Sequence, residues 1–436
     1  MKRSIIFLLA GFASVIINYQ LQAQSELSFE EALAYTLKNN YDIKVAQINQ
    51  KVAENNATKQ NNGYLPTVSA SGNYGWTFNG GNLETVQGDR NLDPNSSYSW
   101  GGGVDVNYTL WDGRGRKYNY LQSQQLKELS ALQVRQLIEN TILQLSTVYY
   151  NASLQQNTVA SLREALSISK DRLKRAQYSY EYGQGTQLDI LNAQVDLNTD
   201  SVNLLNAIQQ LSNSIRNVNF IMGAEISNEI SLTDEITIDR TLQKADMLQL
   251  AKDRNVLIAQ LDKNLLSQEY ALGSSRAAFL PTISANAGYD YRGSLDPNGA
   301  FVTGNTISGP NAGLTLSWNL FNGQLKTQIK NAELNLESLA TQKENTARQV
   351  EFDLLNAFDA YETALFILDS QQDNVTTARR NFERSQESFK LAQINSVEFR
   401  QAQLNLLNAE IQLNQSKIDA KNAELQVLAL VGKIAG

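Results

Sequence analysis

The chain has 436 residues, a formal net charge of −7 at pH 7, no cysteine and no histidine. An acidic chain is a poor candidate for a nucleic-acid partner. Without cysteine and histidine it forms no disulfide and lacks thiolate nucleophiles, the commonest general base and the commonest metal ligand. The composition leaves carboxylate catalysis as the one enzymatic possibility, and we expect no cofactor.

The first 23 residues are predicted to be a secretory signal peptide. Lys2 and Arg3 precede an apolar run at 5–17, and the segment ends on the small residue Ala23. An apolar run of this length is too short to span a bilayer and is typical of a signal peptide. The alternative is an N-terminal membrane anchor.

The rest of the chain repeats itself at an offset of roughly 210 residues. Residues 64–70 (YLPTVSA) return at 279–285 (FLPTISA), and residues 110–113 (LWDG) return at 320–323 (LFNG). A duplication of this length predicts two copies of one architecture. The predicted structural repeats are 24–225 and 226–436.

Three long stretches without glycine or proline predict long helices. They cover residues 117–182, 186–222 and 324–431, and their apolar residues recur at steps of three and four, as in the seam of a coiled coil. A helix rises ~1.5 Å per residue, so the first stretch would be about 100 Å long. No globular domain is that wide, so we expect an elongated coiled coil or a tube wall.

All five prolines fall in two windows, roughly 64–113 and 279–323, whose residues alternate with period two. One face is apolar and the other carries Gly, Ser, Thr and Asn, which is typical of transmembrane β-strands. A soluble antiparallel sheet with one buried face would show the same alternation. Residues 79–97 and 293–310 are expected to be long external loops. The four predicted strands are about 66–78, 98–111, 281–292 and 312–321.

All four tryptophans of the chain lie in or beside these strands, where a transmembrane barrel carries its interfacial aromatic girdle. Trp76 and Trp100 fall in the first window with Trp111, and Trp318 falls in the second. We therefore predict contact with outer-membrane lipid at these four positions.

Four strands cannot close a barrel, and an open edge in lipid leaves backbone groups unsatisfied at several kcal/mol each. Two chains would give eight strands with a filled interior, whereas three would give twelve and leave a lumen. Because the inner face is small and polar, we predict a homotrimer. The fold class is thus mainly α with a small transmembrane β part.

Two copies of strand, loop, strand and long helical hairpin, behind a signal peptide, resemble the TolC-like outer-membrane efflux proteins. The most specific element is the turn between the long helices, YGQGTQLD at 182–189 and LAQINSVE at 391–398. The resemblance implies a 12-stranded barrel continued by a 12-helix periplasmic coiled-coil tunnel. It also implies an exit duct in the cell outer membrane that extends into the periplasm and has no enzymatic activity.

By the same resemblance the duct belongs to a tripartite efflux or type I secretion system and passes small molecules or proteins. Its partners would be a periplasmic adaptor protein and an inner-membrane pump. The turns would be the periplasmic tips at which the adaptor docks, through Gly183, Gln184, Ala392 and Gln393. The alternative for Gly183 is that it simply permits a helix–helix turn.

The resemblance also places a constriction at the tips. Glu398 matches the first acid of the family's selectivity ring, but Gln401 stands at the second acid, so half of the charge is missing. Asp189 matches an acid of the gate network. Its aromatic hydroxyl and arginine partners match Phe389 and Ile394, which predicts an apolar closure governed by dewetting. The alternative for Glu398 is an ordinary solvated acid at a helix end.

Two other functional classes stay open on the sequence alone. A secreted coiled-coil scaffold without channel activity would explain the helices and the duplication, but not the amphipathic strands. An enzyme with paired carboxylates is disfavoured because the sequence lacks histidine, cysteine and a Gly-rich phosphate loop. The cargo is not specified, although three methionines and no histidine argue against a soft-metal relay.

Overall fold

A computed structural model describes residues 26–86, 88–233, 236–295 and 303–434. The predicted signal peptide and the DPN segment at 296–298 lie outside the described residues. The order of elements in the first half, two short helices, two strands and two long helices, returns in the second half. The helices are α1 Phe29–Asn39, α2 Tyr41–Asn56, α3 Gly115–Glu181, α4 Gln187–Met222, α5 Lys244–Arg254, α6 Val256–Ala277, α7 Gly323–Lys390 and α8 Ser396–Leu430. The strands are β1 Glu26–Leu27, β2 Thr67–Leu83, β3 Arg90–Trp111, β4 Ser231–Leu232, β5 Thr282–Leu295 and β6 Gly304–Ser317.

The fold is predominantly helical, as expected. Helix α3 has 67 residues and α7 has 68, and each packs as a hairpin on the helix that follows it. At ~1.5 Å per residue these helices are about 100 Å long. Among the described residues, none of the helices carries a stretch both long and apolar enough to cross a membrane.

Strands β2, β3, β5 and β6 form one antiparallel sheet in that order. The expected long loops were wrong in large part, because most of residues 79–97 and 293–310 extend the strands instead. Pro94 lies inside β3 at a register shift in its pairing with β2, and pairing of β3 with β5 starts only at Tyr98. A proline is tolerated at a bulge and where the strand has a free edge, which explains why it does not end β3.

The main cores surround the middle of the long helices. One core includes Leu145 and Tyr149 of α3 with Val218 of α4, and a second includes Leu354 and Phe358 of α7. In the first core the Tyr149 hydroxyl donates a 2.6 Å hydrogen bond to the backbone oxygen of Leu27. In the second, Tyr361 donates in the same way to the backbone oxygen of Asp239. Each repeat thus fixes its long helix to the chain segment that enters that repeat.

Two glycines with left-handed backbone conformation provide a matched stability test. At Gly223, φ is 69° and an added Cβ would lie 2.7 Å from the carbonyl oxygen of Asn39, whereas at Gly183, φ is 72° and the space is open. We expect Gly183→Ala to cost about 1 kcal/mol from backbone strain alone. We expect Gly223→Ala to cost about 1–3 kcal/mol more because Asn39 must also move. Denaturant unfolding of the detergent-solubilised protein measures both, and equal losses would contradict the predicted clash.

Candidate functional site

The apolar face of the sheet is uncovered. The pairing register aligns Val68, Val106, Ala287 and Ala312 in one row across the four strands. Large side chains on this face are mostly in solvent, and Leu314 is 75% exposed. Within the described ranges, the strands of this sheet make extensive contacts only with one another. In a single chain this apolar face is therefore exposed, whereas the soluble-sheet alternative requires it to be buried.

The tryptophans lie at two levels of this sheet. Trp76 and Trp100 lie near the middle of β2 and β3, where Trp100 pairs with Gly293 close to the end of β5. Trp111 is the last residue of β3 and Trp318 follows the last residue of β6, at the end from which the long helices start. A register shift between Thr109 and Trp111 brings Trp111 opposite Ile283. Strict alternation did not predict this shift. The Trp318 indole N–H donates to the backbone oxygen of Phe279 at 3.0 Å, just beyond the end of β6.

The spacing of two of these rings matches a membrane. Trp100 and Trp111 are eleven residues apart on β3. At ~3.3 Å per residue and a tilt of ~45°, this separation is about 25 Å along a barrel axis, the height of the apolar band of outer-membrane barrels. The aromatic girdle stays a prediction, because the chain is described without lipid or neighbouring copies.

The opposite face of the sheet is small and polar. Ser69, Asp105 and Gly288 lie in one row with Asn311, and Asn311 donates a 2.6 Å hydrogen bond to the carboxylate of Asp290. Such a face suits contact with water. Across the described parts of the chain, no three acidic side chains are arranged to hold a metal ion.

Both helical hairpins end in the same turn. The backbone N–H of Gln184 donates to the oxygen of Ser179 at 2.7 Å, and that of Gln393 donates to Ser388 at 2.8 Å. The residue before each is left-handed, Gly183 in the first tip and Ala392 in the second, where φ is 55°. This is the Schellman motif that ends many helices. The four residues predicted to dock an adaptor are exposed on these turns.

Both acids predicted at the constriction cap the helix that follows the turn. Thr186 begins α4 with a capping box in which the carboxylate of Asp189 accepts from the backbone N–H of Thr186 at 2.9 Å and from its hydroxyl at 2.7 Å. These two hydrogen bonds hold the pKa of Asp189 below its usual value. Glu398 is exposed and accepts from the backbone N–H of Asn395 at 3.1 Å at the start of α8. The T-x-x-D and N-x-x-E spacings were visible in the sequence as capping signals.

The residues predicted to form an apolar gate lie in the second hairpin. The Phe389 ring stacks on Phe399 with centroids 4.8 Å apart and 7° between the planes, and Phe399 also stacks on Phe382. Ile394 is half-buried in the turn, and Gln401 donates to Asn405 along α8. Phe389 therefore packs within its own hairpin, and a role in closure stays a prediction.

Sequence reasoning missed a group of charged residues that joins the two hairpins, here called the inter-hairpin cluster: Arg172 of α3, Asp196 and Asp200 of α4, and Arg400 of α8. Arg400 contacts both oxygens of Asp200 at 2.7 and 2.8 Å. Arg172 contacts Asp196 at 2.9 Å. Burial lowers the pKa of the Arg172 guanidinium, although Asp196 opposes that effect. Charges in a helix usually face solvent, so only the packing of α8 on the first hairpin reveals this cluster.

The chain has the fold of outer-membrane channel proteins. The structures of the outer-membrane channel OprN and of the Campylobacter jejuni CmeC channel match it with TM-scores of 0.72 and 0.73. Each match covers 93% of this chain, and 89% of OprN and 86% of CmeC respectively. The sequence identities are 16% and 18%, so the likeness concerns the fold.

A sequence profile of outer membrane efflux proteins matches residues 32–224 and 247–433. The chain therefore belongs to the outer membrane efflux protein family, whose members are efflux channels of the outer membrane rather than enzymes. The probable efflux pump outer membrane protein TtgC of Pseudomonas putida is 22% identical over 426 residues, which cover 93% of this chain and 83% of TtgC. The family resemblance and the outer-membrane location expected from the sequence are confirmed.

The first tip provides a pH-dependent prediction. Because hydrogen bonds lower the pKa of folded Asp189, the cap contributes stability above the usual carboxyl range and loses it as pH falls through the lowered pKa. In Thr186→Val the hydroxyl donor to Asp189 is gone, so we expect amide protection at residues 186–190 to be lost at a higher pH than in the wild type. Hydrogen exchange, corrected for intrinsic rates, measures the midpoint pH at which amide protection is lost.

Thr199→Val is the matched control for this experiment. Thr199 is also in α4, but its hydroxyl donates to the backbone oxygen of Val195 instead of to a carboxylate. The midpoint should stay at its wild-type value in this variant. A Thr186→Val midpoint equal to that of the wild type would show that the hydroxyl does not set the pKa of Asp189.

Proposed function

We propose that three copies of this chain form one passive exit duct, with a 12-stranded barrel in the outer membrane and a 12-helix coiled-coil tunnel in the periplasm. The observation that carries the proposal is the uncovered apolar face of a four-stranded sheet from which helices of about 100 Å continue. Each copy would contribute the two structural repeats 24–225 and 226–436. Cargo would pass through the lumen without covalent chemistry.

The sheet order favours closure by neighbouring copies. Strands β2 and β6 are the two edges of the sheet, and in lipid their free backbone groups must be paired. Pairing β6 of one copy with β2 of the next satisfies both edges. With three copies the barrel has twelve strands, which leaves room for a lumen lined by the polar face.

The names of the relatives support a proposal about the partners of this chain. TtgC is described as an efflux pump outer membrane protein and ArpC of Pseudomonas putida as an antibiotic efflux pump outer membrane protein. We infer that this duct likewise works with an inner-membrane pump and a periplasmic adaptor, in a tripartite efflux or type I secretion system. The exposed tips at 182–186 and 391–395 are the surfaces that an adaptor would reach first.

The selectivity of the inner end is tested with two opposite substitutions one helical turn apart. In planar bilayers, Glu398→Gln should lower the preference of the trimer for cations and its block by divalent cations, because it removes an exposed carboxylate. Gln401→Glu should raise both, because it adds a carboxylate beside the first. The reversal potential in a salt gradient measures the preference. Unchanged selectivity in both variants would exclude the second tip as the filter.

The docking surface is tested by site-specific crosslinking, for which the absence of native cysteine is convenient. The variants Gln184→Cys and Gln393→Cys, modified with a photoactivated crosslinker in cells, should capture a periplasmic adaptor. Asn82→Cys serves as the control and should not capture it, because Asn82 lies at the end of the sheet far from the helices. Capture of the adaptor from Asn82 but not from the tips would contradict the proposed orientation.

A further inference from the structure

The inter-hairpin cluster lies at the point where the second tip meets the first hairpin. Besides the ion pairs already described, the hydroxyl of Ser169 on α3 donates to Asp200 at 2.6 Å. Gln403 of α8 donates to the backbone oxygen of Ala165 at 3.1 Å. Helix α8 is thus tied to α3 and α4 by polar contacts over its first two turns.

The centre of the cluster is buried, and its charges balance. Arg172 and Asp200 are 4% and 2% exposed, whereas the side chains of Arg400 and Asp196 are 12% and 27% exposed. The two guanidinium groups face two carboxylates. Removing one member of a buried pair leaves an uncompensated charge, which is more costly than losing an exposed ion pair. The intact cluster therefore resists separation of the second tip from the first hairpin.

The contacts flank Glu398 on both sides. Arg172 donates to the backbone oxygen of Ser396 at 3.2 Å and to its hydroxyl at 2.8 Å, two residues before Glu398. Arg400 follows two residues after it. The carboxylate of Glu398 itself bonds only within its turn, to the N–H of Asn395. The cluster therefore sets where the backbone of Glu398 lies relative to the first hairpin.

The duplication shows that a helical hairpin does not require these charges. At the offset of 209 residues that relates the two tips, the other copy carries uncharged residues at all four positions. The residue that corresponds to Arg400 is Leu191, which is 56% exposed. The charged cluster therefore occurs once in the duplication, with three members in the first hairpin and Arg400 beside Glu398 in the second. The other three counterparts are Asn381, Asn405 and Ala409.

We propose that Arg400, through its buried pair with Asp200, is a positioning residue that holds the Glu398 carboxylate at the inner constriction of the duct. This rests on the proposed function, since Glu398 has a constriction to line only if the chain forms the duct. Arg400 touches no cargo in this role. It acts through the backbone of α8.

The test removes the pair without changing the net charge, as Asp200→Asn with Arg400→Leu. In planar bilayers we expect the cation-to-anion permeability ratio of the trimer to fall about twofold to fivefold, since the attraction between a carboxylate and the passing ion weakens in inverse proportion to their separation. Asp369→Asn with Arg240→Leu is the matched control, because it also removes an Arg–Asp pair without changing the net charge. Arg240 contacts both oxygens of Asp369 at 3.1 and 2.8 Å, but the two side chains are 52% and 59% exposed, so the ratio should not change.

A second background separates positioning from a general structural effect. In Glu398→Gln trimers, the same double substitution should produce no further change in the ratio, because the group that it positions is gone. An equal drop with and without Glu398, or a wild-type ratio in the double variant, overturns the proposal. A wild-type chain that forms no conducting trimer refutes the proposed function instead, before any variant is compared.

A milder variant keeps the test decisive where the double variant assembles poorly. Arg400→Lys retains the charge but replaces the two-pronged contact with a single ammonium donor. Trimers are first verified by their migration in detergent. Arg400→Lys should then lower the ratio in the same direction by a smaller factor, and an unchanged ratio in well-assembled Arg400→Lys trimers also overturns the proposal.

Discussion

The backbone hydrogen bonds at the edges of the four-stranded sheet constrain the rest of the molecule. The outward face of the sheet is apolar and uncovered, and β2 and β6 have no partner on their outer sides within the described chain. In lipid such edges must be paired. The proposed duct meets this requirement because each edge strand would pair with a neighbouring copy.

The long helices are held most firmly at their middle and least firmly at their tips. The two main apolar cores surround Tyr149 in α3 and Tyr361 in α7, far from the turns that end both helices. Towards the tips, the apolar contacts are reduced to small groups such as Val159 with Leu162 and the stack around Phe399. Polar contacts between the hairpins therefore have more influence there than they would in a well-packed core.

Much of the fold was predictable because local periodicity determined it. The period-two windows became the strands, and the stretches without glycine or proline became α3, α4, α7 and α8. Two local features differ from that periodicity for physical reasons. Pro94 lies within β3 because it falls at a bulge on a free edge, and the bulge beside Trp111 depends on pairing with β5. The inter-hairpin cluster could not be predicted, because its members come together only through the register of α8 on α3.

That register also makes the two tips unequal. Arg172 of α3 lies beside Ser396, the first residue of α8, and α3 then continues for nine more residues to Glu181. At ~1.5 Å per residue, the first hairpin extends roughly 14 Å past the start of α8 along its own axis. A partner that approaches along this axis meets Tyr182, which is 81% exposed, before it reaches the second tip. The first tip thus projects beyond the inter-hairpin cluster, whereas the second tip begins beside it.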